Sequence, residues 1–81
     1  MKTLAKDKGV PGYISYEPLW EMIEKKNKNG FWLVKKGINN ATVARLKKNL
    51  PVTTETILYL CYLLNCQPKN ILKYVADDLE E

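Results

Sequence analysis

From residue 17 onward, apolar side chains in this 81-residue chain recur every three or four positions, broken by short polar or glycine-containing stretches. That spacing is helical rather than strand-like. Leu19, Met22, Ile23 and Lys26 follow one another on this period, with Glu21 and Glu24 facing outward. Pro18 suits a first helical turn, where its missing N–H is not needed, so the first helix is placed at about 17–26. A second, at about 30–36, carries Phe31, Trp32, Leu33 and Val34 and stops at Gly37, a natural helix ending. Asn39 is a strong N-cap for a third helix at about 40–48, whose inward positions are Val43 and Leu46, with Leu50 past its last turn. Thr53 caps a fourth, with Glu55 in the first turn where the helix dipole favours an acid. Ile57, Leu60, Cys61 and Leu64 form its apolar stripe. Pro68 opens a fifth, with Ile71, Leu72 and Val75 facing inward.

No alternating run is long enough to build a sheet, so the architecture expected is all-α, with five short helices. Residues 1–14, which contain Gly9, Pro11 and Gly12, read as a flexible arm. Residues 15–76 read as one domain, and 77–81 as a frayed acidic tail.

The joint at Gly37-Ile38-Asn39 is the central feature. Two short helices joined by a three- or four-residue turn with glycine are how a helix-turn-helix delivers its second helix to a DNA major groove. Projected at about 100° per residue, Leu46 and Asn39 fall within roughly 60° of Val43, on the inward side. The opposite side presents Ala41, Arg45 and Lys48, flanked by Asn40, Thr42 and Ala44. It holds no acid and no large apolar group. Arg can bond guanine, Asn can bond adenine, and Ala or a Thr methyl can touch the thymine methyl. The small side chains let the backbone approach the base edges.

Charge sharpens this picture. The net charge is +4, but Lys25, Lys26, Lys28, Lys35, Lys36, Arg45, Lys47 and Lys48 lie in a stretch with no acid. Clustered like charges gain an unliganded fold nothing, whereas a polyanion facing them accounts for the cluster. A solvated basic surface usually has interspersed acids. Composition closes other doors. Without histidine there is no Ser-His-Asp relay and no imidazole metal site. Two cysteines are too few for a disulfide scaffold or a four-thiolate zinc site. Cys61 falls on the inner stripe of the fourth helix, where a buried structural thiol outweighs a redox or metal role for Cys61 and Cys66. No apolar run approaches a membrane span, and no apolar block marks a signal peptide. The expectation is a non-enzymatic, cytoplasmic domain with no cofactor, metal, membrane or small-molecule substrate.

Four segments together, ISYEPLW, LVKKGINNATVARLKKN, PVTTETI and LCYLLNCQPKNILKYV, resemble the short phage-repressor helix-turn-helix proteins of the Cro/cI or XRE family. The likeness runs from Ile14 to Val75. It implies a lambda-repressor-like DNA-binding domain of five helices whose second and third form the helix-turn-helix. It also implies transcriptional regulation through double-stranded DNA, often as a repressor dimer on a palindromic operator. By position, the resemblance assigns base reading to Asn40, Ala41 and Arg45. It assigns phosphate or groove-edge contacts to Thr42, Lys47, Lys48 and Asn49, and a phosphate contact to Asn29. Lys35 and Lys36, beside the turn, add electrostatic affinity. One departure stands out: Leu33 and Lys36 occupy positions where the family pattern has a small and an apolar residue. Sliding the second helix by one residue would bring Leu33 and Val34 into those slots and shorten the turn.

Other readings stay open on the residues alone. Leu58, Tyr59 and Tyr62 fall off the inner stripe of the fourth helix. They form either a surface for self-association or a partner, or a face packed against the first helix or the arm. A protein-interaction module on the same fold, an antirepressor or adaptor, would use that face instead of DNA. Lys2, Lys6 and Lys8 either follow a DNA backbone or belong to a free tail. A single-strand or RNA binder would need exposed aromatics within the basic stripe. Phe31 and Trp32 are the candidates, and burial of both would remove that option.

Overall fold

A computed structural model describes residues 11–76. The chain enters on a short strand, β1 (Tyr13–Ser15), and passes through four helices: α1 (Glu17–Lys25), α2 (Gly30–Lys35), α3 (Asn40–Lys47) and α4 (Thr54–Leu64). A single 3₁₀ turn (Pro68–Asn70) then leads into β2 (Lys73–Val75), which pairs antiparallel with β1. The helices are only 6 to 11 residues long. Helices this short are not stable alone in water, so burial against one another must hold them.

Their ends are set by local sequence. Asn29, Asn39 and Thr53 each accept a hydrogen bond from a backbone N–H three residues on, starting α2, α3 and α4. The other ends share one device. Asn27, Gly37, Asn49 and Asn65 all take positive φ, from 52° to 107°. After each, the next residue's N–H reaches back to a carbonyl five residues earlier: Lys28 to Ile23, Ile38 to Leu33, Leu50 to Arg45, and Cys66 to Cys61. This left-handed ending satisfies carbonyls the helix leaves open and turns the chain sharply. Asparagine and glycine are the residues that tolerate it. Each short rod is thus stopped at a fixed point and re-aimed.

The core is one cluster: Tyr16, Leu19, Ile23, Leu33, Ile38, Val43, Leu46, Leu60, Leu64 and Ile71. Every helix contributes to it. Met22, Ile57, Cys61 and Leu72, inward by periodicity, are half-buried around its edge. Trp20 packs across from α1, and its indole N–H donates to the Leu46 carbonyl at 3.3 Å. The amide N–H of Tyr16 donates to Asn49 Oδ1 at 3.0 Å, tying the start of α1 to the end of α3.

The expected fifth helix and absence of a sheet do not hold: among the described residues there are four helices and a two-stranded sheet. Pro68 does start a helical turn, but Asn70 Oδ1 accepts from the Gln67 N–H at 3.1 Å and the turn closes after three residues. Ile71 still reaches the core from this turn and is fully buried. Lys73-Tyr74-Val75 then finds a partner in Tyr13-Ile14-Ser15, in the register Tyr13 with Val75 and Ser15 with Lys73. Tyr, Ile and Val suit a pleated, half-buried surface, and tertiary pairing overrides the helical spacing of so short a segment. Tyr13 and Ile14, within the stretch read as an arm, therefore belong to β1. The earlier part of that arm, with Lys2, Lys6 and Lys8, and the acidic tail 77–81 lie outside the described residues.

These endings make a direct comparison possible. Asn49→Ala loses both the left-handed preference and the bond to Tyr16, whereas Asn27→Ala loses the left-handed preference. Asn49→Ala should cost about 1–2 kcal/mol more than Asn27→Ala in denaturant unfolding. Equal losses would show that the Tyr16 bond contributes nothing.

Candidate nucleic-acid interface

The interface is built around the turn between α2 and α3, residues 36–39. Gly37, at φ 107°, donates its N–H to the Val34 carbonyl, and Ile38 donates to Leu33. Ile38 then turns inward to 6% exposure, and Asn39 starts α3 by accepting from the Thr42 N–H at 2.9 Å. Asn39, placed inward by projection, is instead exposed at the cap. On either side, Leu33 and Val43 are buried in the common core.

At the two departing positions of α2 one side chain turns inward and the other outward. Four residues separate the helices, Leu33 stays fully buried, and Lys36 is exposed. The small residue that close packing needs is Gly30. A Cβ there would lie 3.2 Å from both Val43 Cγ1 and Lys47 Cε. α2 therefore approaches α3 most tightly at its first residue. The same approach places the end of Lys47 over the start of α2.

A second tie crosses from α4. The hydroxyl of Tyr59 donates to the carbonyl of Lys36, inside the turn. That carbonyl lies at the end of α2, where the helix supplies no partner of its own. Tyr59 in turn stacks near Tyr62, with ring centres 6.3 Å apart and planes 24° apart. Periodicity excluded Tyr59 from the core but could not show that its hydroxyl reaches a turn 23 residues away.

On α3, Asn40, Ala41, Ala44 and Arg45 are all exposed, and Thr42 is half-buried. They share the outer side, opposite the buried Val43 and Leu46. Lys47, in the last turn, and Lys48, at the C-cap, are exposed as well. Asn29 and Asn49 sit nearby but carry structural work as well. Asn29 Oδ1 caps α2 by accepting from Trp32 N–H at 3.2 Å, and Asn49 Oδ1 accepts from Tyr16. Among the described residues the ion pair found is Lys73–Glu17, at 2.9 Å on the exposed surface between β2 and α1. It lies outside the basic block, which has no acid partner there.

What the basic block has instead is aromatic. Lys28 and Lys36 lie 5.5 and 5.8 Å from the Trp32 ring centre, Lys35 lies 5.6 Å from Phe31, and Lys47 lies 5.9 Å from Trp20. Ammonium groups over ring faces gain about 0.5–1 kcal/mol each at exposed sites. Clustering these lysines therefore does gain the fold something, contrary to the expectation from charge alone. The signal was present as the four-residue spacings Lys28–Trp32, Phe31–Lys35 and Trp32–Lys36. Trp32 is half-buried, but Phe31 is 68% exposed. Burial thus does not remove the single-strand option, although one exposed ring is short of the stacking series such binders use.

The rest of the surface offers little chemistry. Burial and the neighbouring Cys61 push the Cys66 thiol up, the direction of an unreactive thiol. Among the described residues no group of three or more His, Cys, Asp or Glu could hold a metal. No described helix is long and apolar enough to cross a membrane.

Four helices around one core, with α2 and α3 set at a glycine turn, define a helix-turn-helix domain. Residues 18–77 match the Cro/C1-type HTH DNA-binding domain, and the chain belongs to that family. Among solved structures, the transcriptional regulator VanUg (crystal form II) is similar, at 26% identity and a TM-score of 0.77, covering 83% of this chain and 91% of that one. No curated protein matches in sequence.

Two substitutions separate the ties around the turn. Gly37→Ala forces a side chain into a left-handed conformation and should cost about 1–2 kcal/mol. Tyr59→Phe removes the bond to Lys36 but keeps the ring, and should cost about 0.5–1.5 kcal/mol. Thermal unfolding of both variants checks this. A Tyr59→Phe protein as stable as the parent would show that the turn does not use the hydroxyl.

Proposed function

We propose that this chain is a sequence-specific transcriptional regulator of the repressor kind, which occupies a double-stranded DNA operator and reads its major groove with α3. The observation that carries this is the outer face of α3: Asn40, Ala41, Ala44 and Arg45 exposed together, free of acids, on a helix fixed by a glycine turn. Arg45 and Asn40 have the donor and acceptor geometry to read guanine and adenine, and Ala41 leaves room for a thymine methyl. Lys35, Lys36, Lys47 and Lys48 hold phosphates, with the Thr42 hydroxyl and the Asn29 amide at the groove edge. Asn49 has its oxygen committed to Tyr16, so only its NH₂ is left for a phosphate. Its larger role is to fix where α3 ends.

In this reading the protein acts in the cytoplasm as a homodimer on DNA, with no cofactor or small-molecule substrate. Phosphate neutralisation supplies affinity and the base contacts supply sequence preference. A second reading has an observation in its favour. Leu58 and Tyr62 are 69% and 76% exposed, as a protein-binding adaptor would require. An adaptor would form a stable protein complex while showing no preference among duplex sequences.

Binding should weaken with salt at a log–log slope of about −0.9 per neutralised phosphate. Arg45→Ala should cost about 1–3 kcal/mol on the preferred duplex and relax one base position, whereas Lys36→Ala should weaken all sequences alike. Gel-shift titrations on preferred and random duplexes measure both. Equal losses on the two duplexes for Arg45→Ala would remove it from the readout.

A further inference from the structure

The ending of α4 brings the two cysteines of the chain together. Asn65 takes φ 52°, and the Cys66 N–H donates back to the Cys61 carbonyl at 3.0 Å. In a helix ending of this kind, the side chains at the two ends of that bond pack against each other. Backbone dimensions limit the Cα–Cα separation across such a bond to about 6.9 Å, and any bend in the path shortens it. A disulfide spans about 4.4–6.8 Å. The Cys66 thiol lies in hydrogen-bonding reach of Cys61. Both thiols are free and half-buried, and they line one open apolar groove with Leu58, Gln67 and Leu72. The helical stripe favours a buried structural role for them, but the groove leaves both within reach of a small reagent.

We infer that Cys61 and Cys66 are a reversible dithiol–disulfide pair, closed by small disulfides such as oxidised glutathione. Closure takes two exchanges. The Cys61 thiolate attacks one sulfur of the oxidant, forming a mixed disulfide and releasing one glutathione thiolate. The Cys66 sulfur, losing its proton, then attacks the Cys61 sulfur and expels the second glutathione. Two protein thiols are oxidised, one disulfide is reduced, and both protons end on the released glutathiones. The order follows from the surroundings. Burial first, then the charge and hydrogen bond of Cys61, raise the Cys66 thiol, against a smaller opposing pull from Lys26. A thiol held protonated is a poor first nucleophile, but one placed against its target serves the second step. The closed bond joins the end of α4 to the segment that enters the 3₁₀ turn and carries Ile71 into the core. Where glutathione keeps most thiols reduced, such a pair is open at rest and closes under oxidation.

The test equilibrates the full chain with reduced and oxidised glutathione at fixed ratios, in buffer and in concentrated urea. Alkylation then blocks the thiols that remain. Trypsin releases both cysteines in one peptide, residues 49–69, because no Lys or Arg lies between Lys48 and Lys69. The closed peptide is the one that carries neither label nor adduct. The folded chain should favour closure about tenfold or more over the unfolded chain, and closure should raise the thermal midpoint by about 5 °C or more. Cys66→Ser should hold a lasting glutathione adduct on Cys61, and Cys61→Ser should react more slowly. Equal closure in buffer and urea would overturn the inference. So would thiols that stay free in buffer, or that end as adducts or as bonds between two chains. A lowered midpoint would show that the bond distorts the helix ending, which contradicts the inference as well. Faster reaction of Cys61→Ser than of Cys66→Ser would overturn the order of attack.

Discussion

The hydroxyl of Tyr59 donates to the carbonyl of Lys36 and closes a ring of constraints around the turn between α2 and α3. Within that ring, Gly37 supplies the left-handed conformation, Ile38 is drawn into the core, and Gly30 lets α2 rest against Val43 and Lys47. None of these holds the angle alone, because a six-residue helix has almost no stability of its own. Together they leave α3 one orientation relative to the core. The proposed groove readout depends on that orientation, since a small misplacement of Arg45 or Asn40 would break a bidentate bond.

The electrostatic design follows from the same frame. Lysines gathered in one region destabilise a folded chain through mutual repulsion, and here Trp32, Phe31 and Trp20 offset part of it by receiving ammonium groups on their faces. A lysine already resting on a ring would lose less entropy on meeting a phosphate, as the proposed function requires. The aromatics of this domain therefore serve the charged surface as well as the core. α4, with no base at all, sets the limit of that surface.

Much of this was legible in the chain. Helical spacing located α1 to α4, and Asn39 and Thr53 marked two starts because their side chains have few better uses than capping. Gly37 fixed the joint, and Leu19, Leu33, Val43, Leu46, Leu60 and Leu64 are buried where periodicity places them or the helix pattern requires. A fifth helix is expected from the chain because Pro68, Ile71, Leu72 and Val75 fit a helical period by coincidence over eight residues. The strand they yield to depends on Tyr13–Ser15, some sixty positions away. Distance in sequence also hid the Tyr59 and Asn49 bonds. The charge block is plain in the chain, but charge alone does not reveal its aromatic partners. On α3 the sequence showed which residues face outward, and the fold agrees with that exposure. Exposure still does not name the bases they meet.

The account turns on α3 discriminating among duplex sequences. Selection from a random duplex library at moderate salt addresses that most directly. The account predicts one enriched sequence whose enrichment disappears when Arg45 and Asn40 are both replaced by Ala, while weak binding to random duplex survives. A flat outcome, with the parent chain retaining every sequence equally, would contradict it.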